Sequence, residues 1–300
     1  MSYQIQHIFD KEKNDNYVVL KTDSSSVKII LNQGAHIEEF KINTISIIKD
    51  LSPISYQESF ASSILFPFAN RIKDGKYVFN TITYQTEINQ VEESNALHGF
   101  VYDKEFQVIK QQVNVDSASI IVEYNETEIT KGFPFTYKIQ LEYVLSENSI
   151  ELKVNIENTS KEKFPFTLGW HPYFYSEDLH KSFLKFESSK QVVFDDKMIP
   201  IRTKEIINSQ NFELENKELD DCFYLDSNLI EFVTPNYKME LSSSENNNFL
   251  QLYTPNKKNR IAIEPTTGIS NSFNTEVGLK TLHPNEKYQI SWKLSFTNLQ

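Results

Sequence analysis

Two histidines, a glutamate and an arginine stand in four short segments that mix polar residues with Gly, Pro and aromatics, as binding loops on a rigid scaffold do. The segments are Phe66-Pro67-Phe68-Ala69-Asn70-Arg71-Ile72, Asn95-Ala96-Leu97-His98-Gly99-Phe100, Thr167-Leu168-Gly169-Trp170-His171-Pro172-Tyr173-Phe174 and Ile261-Ala262-Ile263-Glu264-Pro265-Thr266-Thr267-Gly268. Taken singly, most have a plain structural explanation. His98 before Gly99 fits a loop histidine bonded to backbone, His171 a half-buried histidine satisfied among aromatics, and Arg71 the partner of a surface acid. Glu264 is harder to explain in this way. It follows the apolar alternating Arg260-Ile261-Ala262-Ile263 and precedes Pro265, which is expected to break the ladder and leave the carboxylate at a strand end.

Together the segments say more. Two imidazoles and a carboxyl beside apolar walls can exchange protons near neutral pH. An arginine supplies forked donors for hydroxyls, and aromatic faces pack on the C–H faces of a sugar. The combination points to acid/base chemistry on a carbohydrate. The same trio, His98, His171 and Glu264, is also a ligand set able to hold zinc. A glycosidase working with two carboxylates fits less well, since the four segments supply one carboxylate and two imidazoles.

Such residues need a scaffold, and the sequence pattern describes an all-β one. From Tyr137 to Ile156, residues Tyr137, Ile139, Leu141, Tyr143 and Leu145 share one face, and Ile150, Leu152, Val154 and Ile156 follow after the polar turn Ser146-Glu147-Asn148-Ser149. This is a hairpin with one face buried. Similar runs lie at Tyr17–Leu20, Val27–Leu31, Tyr77–Tyr84, Ile120–Tyr124, Phe249–Tyr253, Arg260–Ile263 and Tyr288–Phe296. No segment keeps a 3.6-residue period beyond a turn or two. Short strands punctuated by Asn, Ser, Asp and Pro predict a large antiparallel β-sandwich rather than alternating β and α units. With no repeat or Gly/Ser linker to divide it, residues 1–300 are expected to form one domain. Thr22–Ser26 and Ser242–Asn248 are expected as exposed turns, and Asn211–Asp221 as a charged surface loop.

The bulk composition narrows the partners. A formal charge of -11 leaves no basic surface for phosphate backbones, which argues against nucleic acid and for a small, neutral ligand. The start MSYQIQHIFDKEKND carries no apolar signal-like run, and no stretch nears the length of a membrane span. One cysteine, Cys222, forms no intramolecular disulfide and is expected to pack as a small buried hydrophobe. A cytoplasmic protein, monomeric or homodimeric and without membrane contact, is the expectation.

Seven pieces of the chain, in order, are FPFANRIKDGKYVFN at 66–80, LHGF at 97–100, GFPFTYKIQLEYVL at 132–145, GWHPYF at 169–174, LDDCFYL at 219–225, LQLYTP at 250–255 and IEPTTGISNSFN at 263–274. In content and order they resemble the aldose 1-epimerase (galactose mutarotase) family along most of the chain. The resemblance implies a galactose mutarotase-like supersandwich that binds an aldose and needs no cofactor. It implies Glu264 as the base at the anomeric hydroxyl, His171 as the acid at the ring oxygen, and His98 as the group that binds and polarises the sugar nearby. Asn70 and Arg71 would hold hydroxyls, as would Gln251 and one acid of the Asp220-Asp221 pair, Asp220 aligning better, while Trp170 and Tyr173 either line the pocket or pack in the core. Phe100-Val101-Tyr102 directly after Gly99, and Pro172 after His171, look like a divergent bacterial branch. Two alternatives accompany this implication: a non-catalytic carbohydrate-binding sandwich, and a hexose 6-phosphate 1-epimerase, for which no Arg/Lys cluster stands beside the motifs.

Overall fold

The computed structural model describes residues 2–208, 211–215, 217–246, 248–255 and 259–297. Three antiparallel sheets dominate it. A five-stranded sheet runs in sequence order through Gln4–Asp10, Asp15–Lys21, Ser25–Ile30, His36–Ile42 and Ile45–Ile48. A nine-stranded sheet follows the order Gln107–Val113, Ala118–Glu126, Tyr137–Ser146, Ser149–Asn158, Lys287–Thr297, Lys238–Ser243, Leu229–Val233, Phe183–Phe186 and Phe212–Glu213. In the third, the path is Pro200–Asn208, Ser188–Phe194, Asp220–Tyr224, Phe249–Tyr253, Arg260–Thr266, Gly169–Trp170 and Ile64–Leu65, with Tyr173–Tyr175 also paired to Arg260–Thr266.

The expected hairpin is present in register, from Tyr137↔Asn158 to Ser146↔Ser149, and its burial alternates residue by residue. That alternation follows from the period of 2, which sends successive side chains to opposite faces. One buried apolar cluster joins all three sheets, with Val27 and Phe40 from the first, Leu141 and Trp292 from the second, and Leu252 and Ile263 from the third. The only α-helices among the described residues are single turns, Tyr56–Ser59 and Ser272–Thr275. Among the described residues no helix is long and apolar enough to cross a membrane.

Some local expectations are revised. Tyr77–Tyr84 is two strands, Lys76–Phe79 and Ile82–Gln85, reversed at Asn80-Thr81, where both residues take positive φ. This is the left-handed geometry that a two-residue hairpin turn requires. Thr22–Ser26 and Ser242–Asn248 are not wholly exposed, since Ser25, Ser243 and Asn248 are buried; residue 247 lies outside the described residues. Within Asn211–Asp221, Phe212–Glu213 forms a strand and Leu214 and Leu219 are buried, so the charges ride on an anchored segment; residue 216 lies outside the described residues.

Candidate active site

Three neighbouring strands of the third sheet carry the floor of a cleft. Cys222 pairs with Gln251 and Gln251 with Glu264, while Asp220 pairs with Tyr253 and Tyr253 with Ala262. Directly paired residues point to the same face, so Asp220, Gln251, Tyr253 and Glu264 stand together on one side. The intervening Leu250, Leu252, Ile261 and Ile263 enter the core on the other.

Glu264 does not end its strand. Arg260–Thr266 continues through Pro265, which pairs with Leu250 on one flank. On the other flank Ile263 N–H donates to Pro172 O at 3.2 Å and Thr267 N–H to Leu168 O at 2.8 Å. The nitrogen of Pro265 faces that same flank, where the neighbouring strand is interrupted between Trp170 and Tyr173 and asks for no donor. The interruption is occupied by His171, whose backbone turns instead to the Ser62-Ser63 segment through His171 N–H to Ser63 O at 3.0 Å and Ser62 N–H to His171 O at 2.7 Å. Pro265 therefore matches the break that lets His171 reach Glu264: Nε2 lies 3.4 Å from Oε1.

His98 arrives from the opposite wall. Leu97 pairs with Arg71 across a two-residue ladder, and the chain then reverses through His98 and Gly99, with φ of +65° and +74°. A Cβ at Gly99 would lie 2.1 Å from Phe66 O, so only glycine permits this approach. Asn70, also left-handed, links this wall: its carbonyl accepts from His98 N–H at 3.0 Å and its Oδ1 from Arg71 Nη1 at 3.0 Å. Aromatic rings fix both imidazoles. Phe60 lies 4.9 Å from His98, Tyr173 stacks on His171 at 5.0 Å and 18°, and the two histidine rings meet edge-on at 5.2 Å.

The resulting cleft has a volume of about 300 Å³. That is at the small end of the roughly 300–1,000 Å³ usual for small-molecule sites, a size suited to one monosaccharide. Asn70, Arg71, His98, His171, Tyr173, Asp220, Gln251 and Glu264 line it. Two expected members do not. Asp221 points to the opposite face, as the alternation of the strand dictates, and its carboxylate accepts a hydrogen bond from Gln191. Trp170, 1% exposed, is core: it stacks on Trp292 at 6.3 Å and 21°. Trp170→Ala is therefore expected to cost about 3–5 kcal/mol of stability, measured by chemical denaturation. The sequence pattern missed Gln90, Glu93, Phe60 and Tyr253, which also line the cleft. Tyr253 was within reach, standing two residues from Gln251 on the same strand face; the other three come from a loop and a helix end that carry no periodic signal.

Burial dominates the electrostatics. His171 is pushed down to about 3 by desolvation, and His98 is driven well below its ordinary value by desolvation, then by His171 and Arg71. Glu264, 2% exposed, is raised well above the carboxylate range by desolvation and by Asp220, against the pull of Arg71. Asp220 is raised to about 6, mainly by desolvation, with Arg71 and the 2.6 Å hydrogen bond from Gln251 Nε2 opposing. Both directions favour the uncharged forms, so that a single proton shared by the Glu264–His171 pair is favoured on the carboxyl, with the imidazole neutral. The charge-separated form, carboxylate and imidazolium, holds the same one proton. Moving between them needs no exchange with solvent. Among the described residues no three His, Cys, Asp or Glu side chains are grouped as a metal-ligand set.

A family model described as aldose 1-epimerase matches residues 16–295. The fold is close to that of a galactose mutarotase-like protein from Clostridium acetobutylicum, with a TM-score of 0.89 at 21% identity over 99% of both chains. It is also close to that of galactose 1-epimerase from Lactobacillus acidophilus NCFM, with a TM-score of 0.83 at 17% identity over 100% of both. Among curated relatives, the uncharacterized protein YihR of Escherichia coli is 20% identical over 88% of each chain. Uncharacterized YphB of the same organism is 25% identical over 48% of this chain, a match spanning 47% of YphB.

Proposed function

Because the chain belongs to the aldose 1-epimerase family, we propose that it interconverts the α and β anomers of an aldose by acid/base-catalysed opening and closing of the ring. The observation that carries this reading is the buried His171–Glu264 pair, 3.4 Å apart on the floor of a sugar-sized cleft.

Hydroxyls donated to Glu264 by a bound sugar, together with Arg71, favour its carboxylate and send the pair's proton to His171. Glu264 then takes the proton of the anomeric hydroxyl. The C1–O5 bond breaks as the C1 carbonyl forms, and His171 delivers its proton to O5. Rotation about C1–C2 presents the other carbonyl face, and the same steps in reverse close the ring. Protons are conserved at each stage, so the pair ends as it began. His98, held neutral, is a hydrogen-bonding partner rather than a proton source, while Arg71, Asn70, Asp220 and Gln251 grip ring hydroxyls. The protein acts as one domain in the cytoplasm, a setting consistent with its lone buried thiol, Cys222. Polarimetry of freshly dissolved α-glucose and α-galactose tests the reading: relaxation should be faster than in buffer. Relaxation at the buffer rate, with sugar still bound, would leave a carbohydrate-binding sandwich in its place.

Asp220 supplies a separate check. Its folded pKa of about 6 lies above the ordinary 3.8, so protonation favours the folded state and stability is lost as pH rises through that interval. Asp220→Asn keeps an acceptor for Gln251 and removes the half-buried charge. Thermal melts should show the variant more stable than the parent above about pH 6, with the gain vanishing below 3.8, while sugar affinity falls.

A further inference from the structure

Among the described residues Arg71 is the only Lys or Arg lining the cleft, and two of its nitrogens are already committed: Nε to Gln90 Oε1 at 2.9 Å and Nη1 to Asn70 Oδ1. Against it stand the carboxyls of Glu58, Glu93, Asp220 and Glu264. Glu58 is bonded to Ser55 and Asp220 to Gln251, whereas Glu93 makes no hydrogen bond or ion pair among the described residues. Glu93 is held in place by its loop. Gln90 and Asn95 exchange backbone hydrogen bonds of 3.1 Å around the turn that carries it, and Asn89 fixes the following strand through Leu97 N–H to its Oδ1 at 2.7 Å. His98, 6% exposed, also lines the cleft, and its buried Nδ1 has no hydrogen-bond partner.

We propose that Glu93, with Asp220, selects the sugar by charge, disfavouring phosphorylated aldoses and favouring aldoses that carry an ammonium substituent. The inference rests on the reading of this cleft as an aldose site. A pyranose is smaller than the Debye length of about 8 Å at physiological salt, so a charge on any of its carbons feels the Glu93 carboxylate. A phosphate dianion meets repulsion that a single, partly engaged guanidinium does not offset. The overall charge of -11 acts in the same direction on approach.

Isothermal titration at neutral pH with 2-amino-2-deoxyglucose, glucose and glucose 6-phosphate reads this without depending on turnover. The amino sugar should bind at least about tenfold more tightly than the phosphate, and high salt should narrow the gap. Glu93→Gln should narrow it by about threefold or more, while Glu12→Gln, the same charge change on an exposed turn outside the cleft, should leave it intact. Equal affinity for the two charged sugars, or a ratio that Glu93→Gln does not move, overturns the inference. Binding that follows the expected order without turnover of any of the three would instead sink the mutarotase reading and leave the charge selection standing. Failure to bind all three sinks both.

Discussion

Glu264→Gln should lower the rate of mutarotation by about 10^3-fold while the fold persists, a loss within the roughly 10^2 to 10^4-fold range of a single positioned acid or base. The amide matches the carboxyl in shape and retains an acceptor, but it cannot take the anomeric proton. Stability should move the other way. Burial lifts the Glu264 pKa, so the folded protein favours the protonated carboxyl, and the stability this supplies is lost as pH rises through the elevated value. The glutamine variant carries no such cost, and its melting temperature should equal that of the parent at acidic pH and exceed it at alkaline pH. Polarimetry and thermal melts on the same preparation measure both. Turnover near the parent rate would remove Glu264 from the chemistry, and a collapsed melting transition would recast it as a structural residue.

The residues of this site were legible to different degrees, for physical reasons. Strand alternation places Gln251, Tyr253 and Asp220 on one face once the register is known, but the sequence carries only the period and not the pairing. For that reason the sequence favours Asp220 only narrowly over Asp221, and the pairing of Asp220 with Tyr253 and of Asp221 with Leu252 decides between them. Pro265 gave a misleading signal about Glu264, since a proline in a central strand is tolerated where the flank facing its nitrogen is broken, and that break lies in a segment nearly a hundred residues earlier. Of the two readings open for Trp170, core packing holds, because its neighbour His171 leaves the ladder while Trp170 remains in it, facing Trp292. The all-β architecture was plain because burial on one side of many short strands writes itself into the sequence residue by residue. The wall built by Gln90 and Glu93 was not, since a loop's position depends on contacts such as the Arg71–Gln90 bond rather than on any period.

His171→Ala tests the shared proton most directly. On the proposed mechanism the Glu264 carboxylate becomes available when its proton passes to His171, 3.4 Å away, so the parent rate should be flat over the pH range in which the pair holds one proton. With alanine at 171 that proton has no partner and must leave for solvent. The base then exists only above the raised pKa of Glu264, and ring-oxygen protonation falls to water. The variant should be slower by about 10^2 to 10^4-fold near neutral pH, with a rate that climbs as pH rises, a profile that a merely structural histidine would not produce. Stopped-flow polarimetry across pH measures the slope. A His171→Ala rate that is reduced but as flat with pH as the parent's would mean that the imidazole only shapes the cleft through its stack on Tyr173 and exchanges no proton with Glu264.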